Sequence, residues 1–204
     1  MSETVFVVDD DRSVRTAVES LLRSVGLPAR SFASTSEFME ASPGTMTGCL
    51  VLDIRMPGRN GLDFQRDLIA AGISLPVVFI TGHGDIPMSV RALKSGAVDF
   101  LTKPFRDQDL LDAVHSAFEK DRARRAEESA GAELRSRYDL LSAREREVFA
   151  LATGGSPNKQ IASELGLSEV TVKVHRGNAM RKMGAESFAD LVRMAGRLGI
   201  SRQH

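Results

Sequence analysis

Tryptophan is absent and tyrosine occurs once, so aromatic residues make up only 5% of the 204-residue chain. That scarcity argues against an aromatic-lined pocket for a small apolar signal molecule. Cys49 is the single cysteine. One thiol makes neither an internal disulfide nor a cysteine-cluster metal site, and this usage fits a reducing cytoplasm. No apolar run approaches the roughly 20 residues that a bilayer-spanning helix needs. The opening Met1-Ser2-Glu3-Thr4 has no basic segment leading into a long apolar one, so no secretory signal is read there and no membrane partner is expected.

What is present is a globular composition, 42% hydrophobic and 26% charged. The formal charge of zero is unevenly divided. Residues 1–118 hold 11 Lys/Arg against 15 Asp/Glu, residues 119–139 hold 6 of each, and residues 140–204 hold 10 against 6. An acidic front calls for a cation and a basic back for a polyanion.

The first 118 residues alternate two patterns. Short apolar runs lie at Val5–Val8, Leu50–Leu52, Val77–Ile80 and Val98–Leu101, with a weak one around Phe32. Without polar alternation they read as strands buried on both faces. Helical spacing appears between them, in Val14, Val18, Leu21, Leu22 and Val25, then Phe64, Leu68 and Ile69, then Met88–Lys94, then Leu110–Phe118. Gly26, Gly72 and Gly96 supply stops. Five strands alternating with helices make an α/β doubly wound parallel sheet. Residues 119–139 are rich in Ala, Arg and Glu, with opposite charges three or four apart. They read as a charged linker that either extends the last helix or stays solvated, with Gly131 weakening a continuous helix. From residue 140 the pattern is all-α. Ser142-Ala143-Arg144-Glu145 is a capping-box sequence, and four short helices end near Gly154-Gly155, Gly166, Gly184 and Leu198.

Four chemically loaded positions follow four different strands: Asp9-Asp10-Asp11, Asp53, Thr81 and Lys103-Pro104. In a doubly wound sheet the carboxyl ends of the strands share one edge, where ligands bind. Crowded carboxylates there need a hard cation with oxygen ligands, and Mg²⁺ suits them. With charge offset by the ion and by Lys103, Asp53 can attack a phosphoryl group and hold it as an acyl phosphate, while Thr81 and Lys103 bind its oxygens.

Val7-Val8-Asp9-Asp10-Asp11, Leu52-Asp53-Ile54-Arg55-Met56-Pro57-Gly58, Ile80-Thr81-Gly82-His83-Gly84-Asp85 and Phe100-Leu101-Thr102-Lys103-Pro104-Phe105 resemble the motifs of response-regulator receiver domains. The resemblance implies a flavodoxin-like sheet of order 2-1-3-4-5, Asp53 as phosphoacceptor and a sensor histidine kinase as donor. It implies Asp10 and Asp53 as direct Mg²⁺ ligands, with Asp9 acting through water and the Arg55 carbonyl completing the set. It also implies Thr81 and Phe100 as a switch pair, in which Thr81 moves toward the phosphoryl group and Phe100 swings into the space vacated. Phe100 replaces the tyrosine often found there. His83 is read as a loop residue and not as a catalytic base.

The run Asn158–Arg176 has helix-turn-helix spacing, with a short helix, a turn at Gly166 and a second helix capped by Ser168. Ile161, Leu165, Leu167, Val170 and Val172 form the expected packed side. Val174 is ambiguous, and Lys173, His175, Arg176, Arg181 and Lys182 supply polar groups. Leu141–Val148 and Asn158–Met183 resemble the LuxR-type DNA-binding domain. Joined to a receiver, this resembles the NarL/FixJ class, and the Thr81–Asp85 loop with Asn158-Lys159 resembles its FixJ branch. The resemblance implies that Lys173 and Val174 face bases and that Lys159, Thr171 and His175 lie near phosphates. Gly177 stands where some members carry a basic reader, which moves that expectation to Arg176 or Arg181.

The expected organisation is a receiver at 1–118, a linker at 119–139 and a DNA-binding domain at 140–204. The expected function is a phosphorylation-dependent transcriptional regulator, not an enzyme, that dimerises, binds promoter DNA and activates RNA polymerase. A Mg²⁺-dependent phosphatase of the haloacid dehalogenase type is a rival, but its nucleophile follows the first strand in a DxDxT pattern, where this chain reads Asp9-Asp10-Asp11-Arg12-Ser13. A LuxR-type receptor for a small signal and a phosphorylation-independent regulator are the others.

Overall fold

The computed structural model describes residues 3–41, 46–58, 60–82 and 86–200. The chain divides into two compact units, Met1–Arg124 and Arg125–His204.

In the first unit, β1 (Thr4–Val8), β2 (Ala29–Phe32), β3 (Gly48–Asp53), β4 (Val77–Thr81) and β5 (Asp99–Thr102) form one all-parallel sheet of order β2-β1-β3-β4-β5. Side chains alternate between two cores, as the period of two requires. Phe6, Val8, Leu50, Leu52 and Phe79 pack under α2 (Thr35–Glu40), α3 (Gly61–Ala70) and α4 (Ile86–Lys94), which contribute Phe38, Phe64, Leu68 and Ala92. Val5, Val7, Val51, Val78 and Ile80 face α1 (Arg12–Ser24) and α5 (Asp107–Asp139), which contribute Val18, Leu22, Leu110 and Val114. Ile69, counted among the periodic apolar positions of α3, is exposed. Cys49 is fully buried in β3, and its thiol is pushed well above the ordinary value by burial, with the nearby Asp121 and Glu3 carboxylates adding to the effect.

The second unit contains α6 (Ala143–Thr153), α7 (Asn158–Leu165), α8 (Glu169–Met183) and α9 (Phe188–Arg197). The capping box is formed: the Ser142 hydroxyl accepts from the Glu145 amide, and the Glu145 carboxylate accepts from the Ser142 amide. Gly166 and Gly184 close α7 and α8 in the left-handed conformation, at φ 66° and 70°.

Two features differ from the sequence pattern. Gly131 does not interrupt α5, which is one helix from Asp107 to Asp139. Its later part is not solely solvated either. Asp121 is buried and accepts from the Gly48 amide in the first unit, while Leu134 and Tyr138 pack with Phe149, Ala179 and Leu191 in the second. Val170 is not on the packed side of α8. It is 73% exposed, and the buried positions of that helix are Val172, Ala179 and Met183.

Candidate functional site

The carboxyl edge of the sheet brings together groups from three strand ends. Asp9 is fully buried just past β1, Asp53 is buried at the end of β3, and Asp10 is exposed beside them. Each offers a carboxylate oxygen, and these oxygens lie within 4.8 Å of one another. Lys103, just past β5, reaches in with Nζ 2.6 Å from Asp9 Oδ2 and 2.9 Å from Asp53 Oδ2. The remaining carboxylate oxygens are held by backbone amides, Asp9 Oδ1 by Asp11 and Asp53 Oδ1 by Arg55.

Burial raises the Asp9 carboxyl above its ordinary value, and the hydrogen bonds from Lys103 and the Asp11 amide only partly offset that. Burial alone would depress Lys103, but its bonds to Asp9 and Asp53 carry it upward. Three carboxylates and one ammonium leave a formal deficit of positive charge, and every donor is a hard oxygen. This donor set fits a small divalent cation such as Mg²⁺, with the exposed Asp10 side open to solvent.

The other expected receiver positions fall around this centre. Thr81 ends β4 fully buried, and its carbonyl accepts from the Lys103 amide at 2.8 Å. Phe100 is half-buried against the Phe79 core, and its strand register pairs it with Phe79, two residues before Thr81. Thr81 and Phe100 therefore share a face of the sheet. The Arg55 side chain is exposed, and a bridge between Arg55 and Asn60 shapes the loop after Asp53. His83, Gly84 and Asp85 lie outside the described residues.

Helix α8 begins on a Ser168 cap that receives the Thr171 amide, with the two hydroxyls 2.8 Å apart. Lys159, Lys173, Val174 and Arg181 are exposed, and His175 is half-buried with a buried Nδ1 that has no partner among the described residues. Arg181, Arg176 and Lys182 each have partners inside the unit, and Arg181 donates to Asn178 Oδ1 at 2.9 Å. Arg176 donates to Asn158 Oδ1 at 3.0 Å and lies 4.3 Å from the centre of the Phe188 ring, so it fastens α8 to α7 and α9. Lys182 Nζ lies 2.6 Å from Glu145 Oε2 and also donates to the Leu140 carbonyl. That bond, with the Ser142 amide, holds Glu145 below its ordinary value.

Residues 5–115 match the family model for the response regulator receiver domain, and residues 139–195 match that for bacterial regulatory proteins of the luxR family. The chain is 54% identical to Nodulation protein W of Bradyrhizobium diazoefficiens over 98% of its own length and 88% of that protein. It is 42% identical to the transcriptional regulatory protein FixJ of Rhizobium meliloti, covering 94% of each. The solved structure of the response regulator StyR superposes with a TM-score of 0.83 at 47% identity, covering 97% of this chain and all of that one. The chain belongs to the NarL/FixJ family of response regulators. It is a transcriptional regulator with a receiver and a LuxR-type DNA-binding domain.

This response regulator also uses residues that its sequence pattern did not single out. Arg15 donates to the carbonyls of Asp9 and Asp10 at 2.6 and 3.0 Å, which ties the acidic loop to α1. Gly61 fits against the end of β3: a Cβ there would stand 2.4 Å from the Asp53 carbonyl oxygen, so only glycine allows this approach. A long basic side chain reaching a backbone oxygen six residues away leaves no pattern in residue types. A glycine before an apolar helix reads only as a turn.

Proposed function

We propose that a sensor histidine kinase transfers a phosphoryl group to Asp53 and that this controls dimerisation and promoter binding. The observation that carries the reading is the convergence of Asp9, Asp10, Asp53 and Lys103 at one edge of the sheet. An Asp53 carboxylate oxygen forms the new bond to phosphorus as the P–N bond of the donor phosphohistidine breaks and its imidazole leaves. Asp9, Asp10, Asp53 and the Arg55 carbonyl would hold Mg²⁺, which when bound offsets negative charge on the transferring phosphoryl group. Lys103 then moves from its carboxylate partners to a phosphoryl oxygen, and Thr81 donates to another. Phe100, on the same face of the sheet, turns into the space that Thr81 leaves. The face formed by α4, β5 and α5, which carries Arg91, Lys94, Asp99 and Asp112, is reshaped and pairs two copies across a two-fold axis.

A dimer presents two α8 helices to two half-sites of promoter DNA. Lys173, Val174 and Arg181 face the bases, while Lys159, Thr171 and His175 lie toward phosphates. Arg176 stabilises the seat of α8 and does not read bases. The DNA-bound dimer activates transcription by recruiting RNA polymerase in the cytoplasm.

Light scattering of the full chain with Mg²⁺, with and without acetyl phosphate, tests the scheme. A monomer-to-dimer shift that disappears in Asp53→Ala supports it. A variant that still dimerises in response to the phosphodonor contradicts it.

A further inference from the structure

The outward face of α8 carries an apolar strip that the fold does not use. Val170 is 73% exposed and Val174 is 56% exposed, and neither belongs to the cores of the second unit. At about 100° per residue, Val170, Val174, Gly177 and Arg181 fall within roughly 60° of arc, opposite the buried Val172, Ala179 and Met183. A surface helix ordinarily turns polar groups outward. Valine is a middling helix former, so two exposed valines one turn apart do little for the domain's stability.

Gly177 is equally unexplained by packing. No atom lies within 4 Å of the place a Cβ would occupy, and no left-handed backbone requires glycine there. Glycine weakens a helix interior. A helical side chain leans toward the N-terminus and covers the turn before its own Cα. The missing side chain at 177 therefore leaves Val174 uncovered. Exposed cations, Lys173 and Arg181, flank the strip.

We propose that Val170, together with Val174, reads the C5-methyl groups of thymine in the major groove. The proposal rests on α8 being the DNA-reading helix. Contacts of lysine and arginine to phosphates carry no sequence information. The thymine methyl is the one apolar group that base edges display in the major groove, and an apolar side chain is what recognises it. Val170 lies near the centre of the exposed arc, so it selects T·A pairs beside the polar contacts of Lys173. Burial of one methyl corresponds to about a fourfold change in affinity.

The test uses the full chain with Mg²⁺ and acetyl phosphate to select duplexes from a random library. Fluorescence anisotropy then compares the best duplex with versions in which single thymines are replaced by deoxyuridine, which removes only the methyl. Replacement at one or two positions should weaken binding by the wild type about fourfold. Val170→Ala should lose that penalty at one of them, while Val192→Ala, an exposed valine on α9, should retain it. Val170→Ala removes only exposed atoms and introduces a better helix former, and an unchanged melting curve will show that it folds. A wild type indifferent to every deoxyuridine, selected duplexes with no recurrent thymine, or a Val170→Ala variant with unaltered penalties overturns the proposal. Enrichment of no duplex at all overturns the DNA-reading assignment itself and the proposal with it.

Discussion

Replacing Lys103 by methionine removes one positive charge that serves two buried carboxylates while keeping most of the side chain's volume. Asp9 and Asp53 lie 2.6 and 2.9 Å from its Nζ, with side-chain exposures of 0% and 8%. At an effective dielectric constant of about 20, each contact is worth on the order of 4 kcal/mol before the cost of desolvating the ammonium. Breaking a buried pair typically costs about 3–5 kcal/mol. Protonation of a carboxylate limits the loss. Neutralising an aspartate of ordinary pKa at pH 7.5 costs about 5 kcal/mol, and that ceiling falls by about 1.4 kcal/mol per pH unit. The sign follows from Asp9, whose carboxyl burial already raises in the folded state. Its protonated form favours folding at low pH, and this contribution fades as pH rises through the folded value. Lys103→Met should therefore destabilise the metal-free receiver unit by about 3 kcal/mol at pH 7.5 and by about 2 kcal/mol at pH 5.5. Urea unfolding followed by circular dichroism in EDTA is the assay, since the chain has no tryptophan to report. Adding Asp53→Asn should recover at least half of the loss. A loss below about 1 kcal/mol at pH 7.5, or one independent of pH, would refute the charge argument.

Three further outcomes follow from the same geometry. Gly61→Ala should push the Asp53–Ile54 backbone aside, lowering stability by about 2–4 kcal/mol and slowing phosphorylation by acetyl phosphate, read by mass spectrometry. Glu145→Gln should cost the second unit about 1–3 kcal/mol at pH 7. Because the folded carboxyl lies below its ordinary value of 4.5, the difference should shrink as pH falls below that value, as measured by thermal unfolding across pH. Lys173→Ala should weaken specific DNA binding, Lys159→Ala should reduce its salt dependence by about one counterion, and Arg176→Met should lower the melting temperature and leave that slope unchanged.

Much of the receiver pocket was legible because each contributing strand ends on a residue whose chemistry is visible in one letter. The sheet did the rest by bringing Asp9, Asp53 and Lys103 to one edge. The helix ends were legible for a similar reason, since Gly26, Gly72, Gly96, Gly166 and Gly184 all adopt the positive φ that a stop requires. The phase of α8 was not legible. Val170, Val172 and Val174 are identical letters at alternate positions, and only the turn at Gly166 and the Ser168 cap decide which one points inward. Cations were ambiguous in the same way. Lys173 and Lys182 look alike in sequence, yet Lys182 finds Glu145, 37 residues away, while Lys173 remains exposed. The partner of Arg176 depends on the placement of Phe188, which no local pattern encodes.

The burial of Cys49 has a practical consequence. A thiol with no exposed surface and a strongly raised pKa is chemically silent toward alkylating reagents at neutral pH. Cysteines introduced at exposed positions can therefore be labelled in the native background, without replacing a side chain packed in the core beneath β3. One spin label or fluorophore on each unit then gives a ruler that reads interdomain distance before and after phosphodonor is added, in a protein whose core has not been altered.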